Sequence, residues 1–283
     1  MAELLKGAPV AAAITEDLIR RVEVLRARGV VPCLAILRVG QRPDDVAYER
    51  GAVKRCEKVG IRTEQFLLPA DCSQAELMAA IERINAEEAI HGCLMFRPLP
   101  KHLNEQTACE TLAPAKDVDS MTATSLHTVF TGRGAGYAPC TAQSVVELLD
   151  HYGFDPAGKN VAVIGRSLVI GKPVSMMLQS RNATVTMCHT KTVNMAEICR
   201  RAEILVVAAG RAGVVTKDYV NQEQVVIDVG VNGLPDGGIC GDVAFAEVEP
   251  LVRAISPVPG GVGAVTTAVL CKHVIEAAEK AAN

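Results

Sequence analysis

Residues 160–173 read NVAVIGRSLVIGKP, and this stretch decides the fold because an apolar run leads through glycines into a helical pattern. The run Asn160–Ile164 predicts a buried strand, and Lys172–Gln179 predicts the helix after it. Gly165 and Gly171 permit a tight turn and a close approach to a pyrophosphate, which the N–H groups of the next helix can bind. The segment therefore predicts a dinucleotide site, although its GxSxxxG spacing also fits a tight turn without a ligand.

The same alternation of apolar runs and helical patterns extends along most of the chain. Further strands are predicted at Pro32–Val39, Arg62–Leu68, Gly92–Phe96, Thr184–Met187, Ile204–Ala208, Gln224–Val229 and, more weakly, Gly241–Val243. Further helices are predicted at Ala11–Ala27, Asp44–Gly60, Gln74–Ala86, Ala142–His151, Met195–Arg201 and Thr266–Ala281. Continuous apolar strands that alternate with helices are typical of parallel sheets covered on both faces. The predicted fold class is therefore α/β.

One segment interrupts this alternation. Ser120–Pro139 is rich in Thr, Ser and Gly, and it predicts a loop near a domain boundary. Thr141 is then predicted to be the N-cap of a helix that leads into a second domain.

Composition excludes several classes of protein. The 283 residues carry a net charge of -3 without a basic stripe, and aromatic residues make up only 3% with no Trp. These values argue against a nucleic-acid binder or an anionic-membrane binder. The ten cysteines are irregularly spaced without a CxxC pair, so buried free thiols are expected and no metal site is predicted. Without a signal-peptide layout or a long apolar run, we expect a cytoplasmic protein.

The second strand of the dinucleotide unit indicates which cofactor is used. That strand ends in CHTKT (188–192), where an NAD-specific site would have a carboxylate for the ribose hydroxyls. Arg166, Thr190 and Lys191 could instead bind a 2'-phosphate, so NADP is favoured over NAD. The alternative is that these side chains are solvated loop groups. Gly210 and Gly230 end two further strands and are expected to face the cofactor.

Several motifs together resemble the methylenetetrahydrofolate dehydrogenase/cyclohydrolase family. In the second half they are GRSLVIGKP (165–173), HTKT (189–192), VVIDVGVN (225–232), GDV (241–243) and SPVPGGVGAVTTAVL (256–270). In the first half they are CEKVGI (56–61), RPLP (97–100), PAKDVD (114–119) and APCTAQSVVELL (138–149). The motifs follow the order and spacing of the family across almost the whole chain.

The resemblance implies a two-domain protein, usually a homodimer, that oxidises a reduced folate substrate with NADP. A folate-binding catalytic domain would span residues 1–138 and be completed by a returning C-terminal helix at 264–283. A Rossmann-type NADP-binding domain would span residues 139–263.

The resemblance also implies roles for individual residues. Asp119 resembles the carboxylate that grips the pterin, and Tyr48 resembles the aromatic residue that stacks on the substrate; both are expected to be catalytic. The implied substrate-binding residues are Tyr48, Pro98, Leu99, Asp119, Pro259, Gly260 and Gly261. The implied cofactor-binding residues are Gly165, Arg166, Ser167, Gly171, His189, Thr190, Thr192, Gly210, Val231 and Gly263.

The chain departs from the family pattern at four positions. The serine three residues before Tyr48 is Asp45, and the acid/base lysine four residues after it is Ala52. The glutamine that partners this lysine is Phe96, and the glycine after KDVD is Ser120. Both members of the pair that supports the hydrolytic step are therefore absent.

Nearby cations are poor substitutes for the missing lysine. Lys54 lies six residues after Tyr48, roughly 120° around a helix, and is expected to point elsewhere. Arg55 and Arg97 carry guanidinium groups, which stay charged and cannot act as general bases. We therefore expect a dehydrogenase with weak or no cyclohydrolase activity.

Three alternatives remain open at this stage. The first is a fully bifunctional enzyme in which Lys54 or another group replaces the lysine. The second is a catalytically silent paralogue that binds NADP or a folate. The third is a dehydrogenase for a different small substrate, since Phe96 and Arg97 alter the pocket.

Overall fold

The computed structural model describes residues 1–282 and confirms the two-domain α/β fold. The helices within this range are α1 Gly7–Ala27, α2 Pro43–Val59, α3 Gln74–Ala86, α4 Glu105–Thr111, α5 Ala123–Thr131, α6 Cys140–His151, α7 Gly171–Ser180, α8 Met195–Arg201, α9 Phe245–Val248 and α10 Thr266–Ala281. The strands are β1 Glu3–Leu4, β2 Cys33–Val39, β3 Arg62–Leu68, β4 Gly92–Met95, β5 Asn160–Ile164, β6 Thr184–Cys188, β7 Ile204–Val207, β8 Val225–Asp228, β9 Asn232–Gly233, β10 Ile239–Cys240 and β11 Ala254–Ile255.

The predicted dinucleotide unit lies in a six-stranded parallel sheet of order β1-β11-β8-β7-β5-β6. β7 and β8 are buried along their whole length, as the unbroken apolar runs predicted. The strand order reverses between β5 and β7. Parallel sheets bind ligands beyond the carboxyl ends of their strands at such a reversal, so the turns after β5, β6, β7 and β8 are the candidate site.

The first half of the chain forms a separate parallel sheet of order β3-β2-β4. All seven residues of the central strand β2 are buried, and α3 packs against the sheet through Leu77, Ile81 and Ile84. α3 begins where a capping box pairs Ser73 with Glu76, which satisfies N–H groups at its first turn.

The C-terminal helix α10 belongs to the first-half unit, as the resemblance implied. Glu279 accepts two hydrogen bonds from Arg21 of α1, at 2.9 and 2.7 Å. The Cys271 sulfur lies 3.8 Å from that of Cys56 on α2, and Lys280 Nζ donates to the Tyr137 hydroxyl at 3.2 Å.

The compact units differ from the predicted domain limits at the N-terminus. One unit contains Met1–Ala12 with Thr141–Thr266, and the other contains Ala13–Cys140 with the chain from Thr267 onward. In this division residues 1–12 lie with the six-stranded sheet and not with residues 13–138. The reason is that β1 pairs with β11 and the Gly7 N–H donates to the Gly260 carbonyl at 2.8 Å.

Three local predictions were wrong. The expected loop Ser120–Pro139 contains helix α5, which Thr122 caps at its start and Gly132 ends in the left-handed conformation. Thr141 is not an N-cap, because α6 already begins at Cys140. Gly241–Val243 is not a strand, although Val243 forms an isolated bridge with Val215.

The cysteine prediction agrees with the structure. All ten are free thiols, and all except the partly exposed Cys240 are buried. Burial raises the pKa of Cys33 to about 11 and that of Cys93 to about 12, which keeps both thiols protonated at neutral pH. Within residues 1–282, no helix combines the length and apolar character that a bilayer span requires.

Candidate functional site

The turn after β5 is built from backbone packed directly on backbone. Gly165 has a φ of 125°, and a Cβ at this position would overlap the Ala208 carbonyl. A Cβ on Gly171 would overlap the Gly165 carbonyl and come within 2.7 Å of the Arg166 nitrogen. Only glycine fits either position without movement of the backbone, so the turn forms the close-approach cradle that a pyrophosphate requires.

The side chains of this turn leave it open to a ligand. The Ser167 hydroxyl accepts from the Ile170 N–H at 3.1 Å, and the Lys172 N–H donates to the Ser167 carbonyl at 3.0 Å. These two bonds stabilise the conformation of the turn. The Arg166 and Ser167 side chains are exposed, so both are accessible to a ligand.

The turn after β6 is also closed by its own residues. The His189 N–H donates to the Thr192 hydroxyl at 2.9 Å, and the Lys191 N–H donates to His189 Nδ1 at 3.1 Å. Because Nδ1 accepts, a neutral His189 carries its proton on Nε2. Thr190 and Lys191 are exposed beside it and could meet an anionic group, as the sequence predicted.

The remaining predicted nucleotide-side residues lie in turns of the same unit. Gly210 follows β7 with a φ of 66°, Val231 is 64% exposed after β8, and Gly263 is exposed. The predicted substrate-binding residues of the loop at 259–261 lie in this unit as well. Gly260 is exposed, and Gly261 packs on Gly7, where a Cβ would overlap the Gly261 carbonyl. Pro259 of the same loop follows a cis peptide bond.

The glycine cradle fits the dinucleotide that the sequence predicted. Gly165 and Gly171 expose bare backbone where any side chain would intrude, and α7 begins at that point, so that the positive end of its dipole favours an anion there. Arg166, Thr190 and Lys191 supply the cations and hydroxyl that suit a phosphate.

In the other unit, Tyr48 lies on α2 with 37% of its surface exposed. Its ring meets the ring of Phe96 edge to face, with centroids 6.0 Å apart and planes at 81°. Ala52, one turn further along α2, is only 1% exposed. The two positions that hold the family's acid/base pair are therefore hydrocarbon here, one of them packed against the Tyr48 ring.

Asp45, the third departure, has a defined partner. Arg42 donates to both carboxylate oxygens of Asp45, at 2.9 and 2.7 Å. The same guanidinium donates to the carbonyls of Arg97 and Pro98, at 3.3 and 3.2 Å. This clamp ties the start of α2 to the predicted substrate-binding segment after β4, where the Leu99 N–H donates to Glu105 at 2.7 Å.

Asp119 is held at the start of α6. Its Oδ1 accepts from the Cys140 N–H at 2.9 Å. Burial raises the pKa of Asp119, whereas the bond from Cys140 and the nearby charges of Arg97 and His273 lower it, with burial the largest effect. The bond from Cys140 restricts the orientation of the Asp119 carboxylate. A fixed orientation favours the binding of a planar donor, the role that the family resemblance implies for Asp119.

The cations considered as substitutes lie elsewhere on α2. Lys54 is exposed and lines a surface groove with Glu49, Glu57 and Gln65, which does not include Tyr48 or Ala52. Arg55 donates to the Thr15 hydroxyl at 3.1 Å. Lys54 therefore points away from Tyr48, as its position on the helix predicted.

A buried ion pair beside Tyr48 was not predicted from the sequence. Arg38 on β2 donates to Glu49 on α2 at 2.6 Å, and Gln65 on β3 donates to the same carboxylate at 2.7 Å. An arginine inside the apolar run of β2 was the only sequence signal. The pair fixes α2 on the sheet, because a carboxylate with two donors loses both if the helix shifts.

Ser120 carries backbone strain next to Asp119. It has a φ of 58°, is 5% exposed, and its buried hydroxyl has no hydrogen-bond partner within the described residues. Ser120→Gly is expected to stabilise the protein by about 1 kcal/mol, because glycine adopts this conformation freely and carries no hydroxyl. Urea unfolding measures the change. Ser120→Ala keeps the strain and should gain less; a glycine variant less stable than the parent would contradict the prediction.

Comparison with known proteins adds the family. The model of the tetrahydrofolate dehydrogenase/cyclohydrolase catalytic domain matches residues 5–119, and that of the NAD(P)-binding domain of the same family matches residues 139–282. The bifunctional protein FolD of Carboxydothermus hydrogenoformans is 53% identical over 281 residues, which cover 99% of this chain and 98% of that protein.

Solved structures agree over the full length. The bifunctional FolD dehydrogenase/cyclohydrolase of Campylobacter jejuni has a TM-score of 0.96 and 36% identity, covering 99% of each chain. The dehydrogenase-cyclohydrolase of Trypanosoma brucei, solved with NADP cofactor and inhibitor, has a TM-score of 0.93 and 34% identity, covering 99% of this chain and 98% of that one.

Proposed function

This chain belongs to the tetrahydrofolate dehydrogenase/cyclohydrolase family, and on that premise we propose that it oxidises 5,10-methylenetetrahydrofolate with NADP and hydrolyses the methenyl product weakly or not at all. The loss of hydrolysis is inferred from one observation: the two positions of the family's acid/base pair hold a buried Ala52 and a Phe96 whose ring packs on Tyr48.

The dehydrogenase half depends on binding and orientation. The methylene carbon lies between two nitrogens, and a nitrogen lone pair stabilises the cation that remains after the hydride leaves. Tyr48 would stack on the substrate and Asp119 would accept from donors on the pterin, roles carried over from the family. Positioning of this kind supplies much of the rate when a cofactor takes up the electrons.

The cofactor-side residues support NADP. Gly165, Gly171 and the start of α7 would hold the pyrophosphate, and Arg166 with Thr190 would meet the 2'-phosphate. NADP, when bound, supplies the acceptor for the hydride. The solved structure of the Trypanosoma brucei relative is a complex with this cofactor, which supports the same choice here.

The hydrolytic half needs a group that takes a proton from water, and such groups contribute about 10²–10⁴-fold. Ala52 and Phe96 cannot do this. Two carboxylates near Tyr48 on α2 are already engaged: Arg42 binds both oxygens of Asp45, and Arg38 and Gln65 donate to Glu49. Lys54 lines a surface groove that does not include Tyr48 or Ala52, which disfavours the fully bifunctional alternative.

Steady-state turnover with methylenetetrahydrofolate tests the dehydrogenase half. Reduced-cofactor formation is followed with NADP and, separately, with NAD at equal concentration. We expect turnover with NADP and a higher kcat/KM for NADP than for NAD. Binding of NADP without any turnover would instead identify the silent paralogue and overturn the proposal. The homodimer implied by the resemblance stays a prediction.

A further inference from the structure

Two buried aspartates in the unit with the six-stranded sheet have no part in the function described so far. Asp228 ends β8 inside the VVIDVGVN motif and is 2% exposed, and Asp242 of the GDV motif is fully buried. Neither has an ion pair with Lys or Arg within residues 1–282. Buried carboxylates are costly unless other donors compensate them, so their partners show what they hold.

Asp228 joins the turn after its own strand to the GDV segment. Its Oδ1 accepts from the N–H groups of Gly230 and Asp242 at 2.9 and 3.1 Å, and its Oδ2 accepts from the Val243 N–H at 2.9 Å. Burial raises the pKa of Asp228 to about 6 against the lowering effect of these three bonds, so the group is ionised at pH 8.

Asp242 joins the turns after β7 and β8. Its Oδ2 accepts from the Gly210 N–H at 2.8 Å. Its Oδ1 accepts from the Arg211 N–H and from Asn232 Nδ2, both at 2.9 Å. One carboxylate therefore fixes two turns that come from different strands.

Two glycines make this arrangement possible. A Cβ on Gly230 would overlap the Asp242 carboxylate, and a Cβ on Gly241 would overlap the Asp228 carboxylate. The carboxylates thus lie against bare backbone, and the turns cannot shift without losing several charge-assisted bonds at once.

We propose that Asp228 and Asp242 are positioning residues that preset the turns carrying Gly210 and Val231 for the dinucleotide. The inference rests on the proposed use of these turns by NADP. If the proposal is right, weakening the hydrogen bonds of Asp242 weakens NADP binding and leaves the KM for methylenetetrahydrofolate nearly unchanged. If the two aspartates only stabilise the fold, the same change lowers stability and affects both substrates alike.

Asp242→Asn tests this at pH 8 in the full-length protein. Its amide nitrogen cannot accept, so at least one N–H bond to the turns is lost. We expect the Kd and KM for NADP to rise about tenfold or more, as the loss of a charge-assisted bond implies, with the KM for methylenetetrahydrofolate within about twofold. Calorimetric titration measures Kd, and steady-state kinetics measures both KM values.

Two further variants sharpen the result. Asn232→Asp faces Asp242 with a second carboxylate and should also weaken NADP binding, while the double variant Asp242→Asn with Asn232→Asp exchanges donor and acceptor and should restore part of the affinity. Asp236→Asn is the matched control. Asp236 is an exposed carboxylate that accepts from the Gly238 N–H of its own turn, at 3.0 Å, and its replacement should leave NADP binding unchanged.

Hydrogen exchange of the ligand-free protein separates failure of this inference from failure of the proposed function. The Gly210 and Arg211 amides should be protected in the parent and exchange faster in Asp242→Asn, whether or not NADP proves to be the cofactor. A variant that exchanges like the parent, or that loses stability while keeping NADP affinity within twofold, would overturn the proposal.

Discussion

Gly171→Ala is expected to weaken NADP binding by about 100-fold, the effect of roughly 3 kcal/mol of overpacking at the cradle. The new Cβ would overlap the Gly165 carbonyl and approach the Arg166 nitrogen to 2.7 Å. Both obstacles are backbone and cannot rotate away, so the turn itself must move. Calorimetric titration of the folded variant with NADP measures the loss.

Gly153→Ala is the matched control for this substitution. Gly153 has a φ of 72°, has open space around its Cβ position and lies outside the predicted site. The control should cost about 1 kcal/mol of stability through left-handed strain and leave NADP affinity unchanged. If Gly171→Ala remained folded and bound NADP as well as this control does, the cradle would be wrongly assigned.

Ala52→Lys combined with Phe96→Gln is expected to raise methenyltetrahydrofolate hydrolysis by about 100-fold, the lower end of what a positioned proton acceptor contributes. The lysine would lie one turn from Tyr48 on the same face of α2, and removing the Phe96 ring would free room beside it. Ring opening of added methenyltetrahydrofolate measures the gain.

Lys54→Met separates this account from the fully bifunctional alternative. Because Lys54 is exposed in a different groove, its loss should change neither the parent's hydrolysis nor that of the double variant. A parent that hydrolyses rapidly and loses this activity in Lys54→Met would show that Lys54 is the substitute.

Much of the sheet unit could be predicted because its strands are short, apolar and rich in branched residues. β5 was predicted with its observed limits, and β6 to within one residue. The two-residue strands β1 and β11 could not, since they exist only through pairing with each other and with β8. That pairing also explains why the first twelve residues cluster with the six-stranded sheet.

The errors around α5 and α6 have physical causes of the same kind. α5 contains few strong helix formers, and its ends are set by Thr122 and Gly132 within a segment whose composition is typical of loops. The first N–H of α6 is bound by Asp119, twenty-one residues earlier, so no local N-cap signal marks its start. A tertiary contact replaced the local one.

In the candidate site, the sequence predicted which residues occupy the key positions, but it could not predict which residues contact each other. The substitutions at Ala52 and Phe96 are visible in the chain, yet the edge contact between Phe96 and Tyr48 depends on how β4 and α2 pack. The bonds from Arg42 to the Arg97 and Pro98 carbonyls and the contacts of Asp242 likewise join segments that are far apart in the sequence.

The most direct measurement supplies purified protein with methenyltetrahydrofolate alone and follows ring opening, beside a parallel run of methylenetetrahydrofolate with NADP. We predict brisk hydride transfer in the second run and ring opening in the first that barely exceeds the rate in buffer. Ring opening as fast as hydride transfer would contradict the claim that an alanine and a phenylalanine have removed the hydrolytic half of the enzyme.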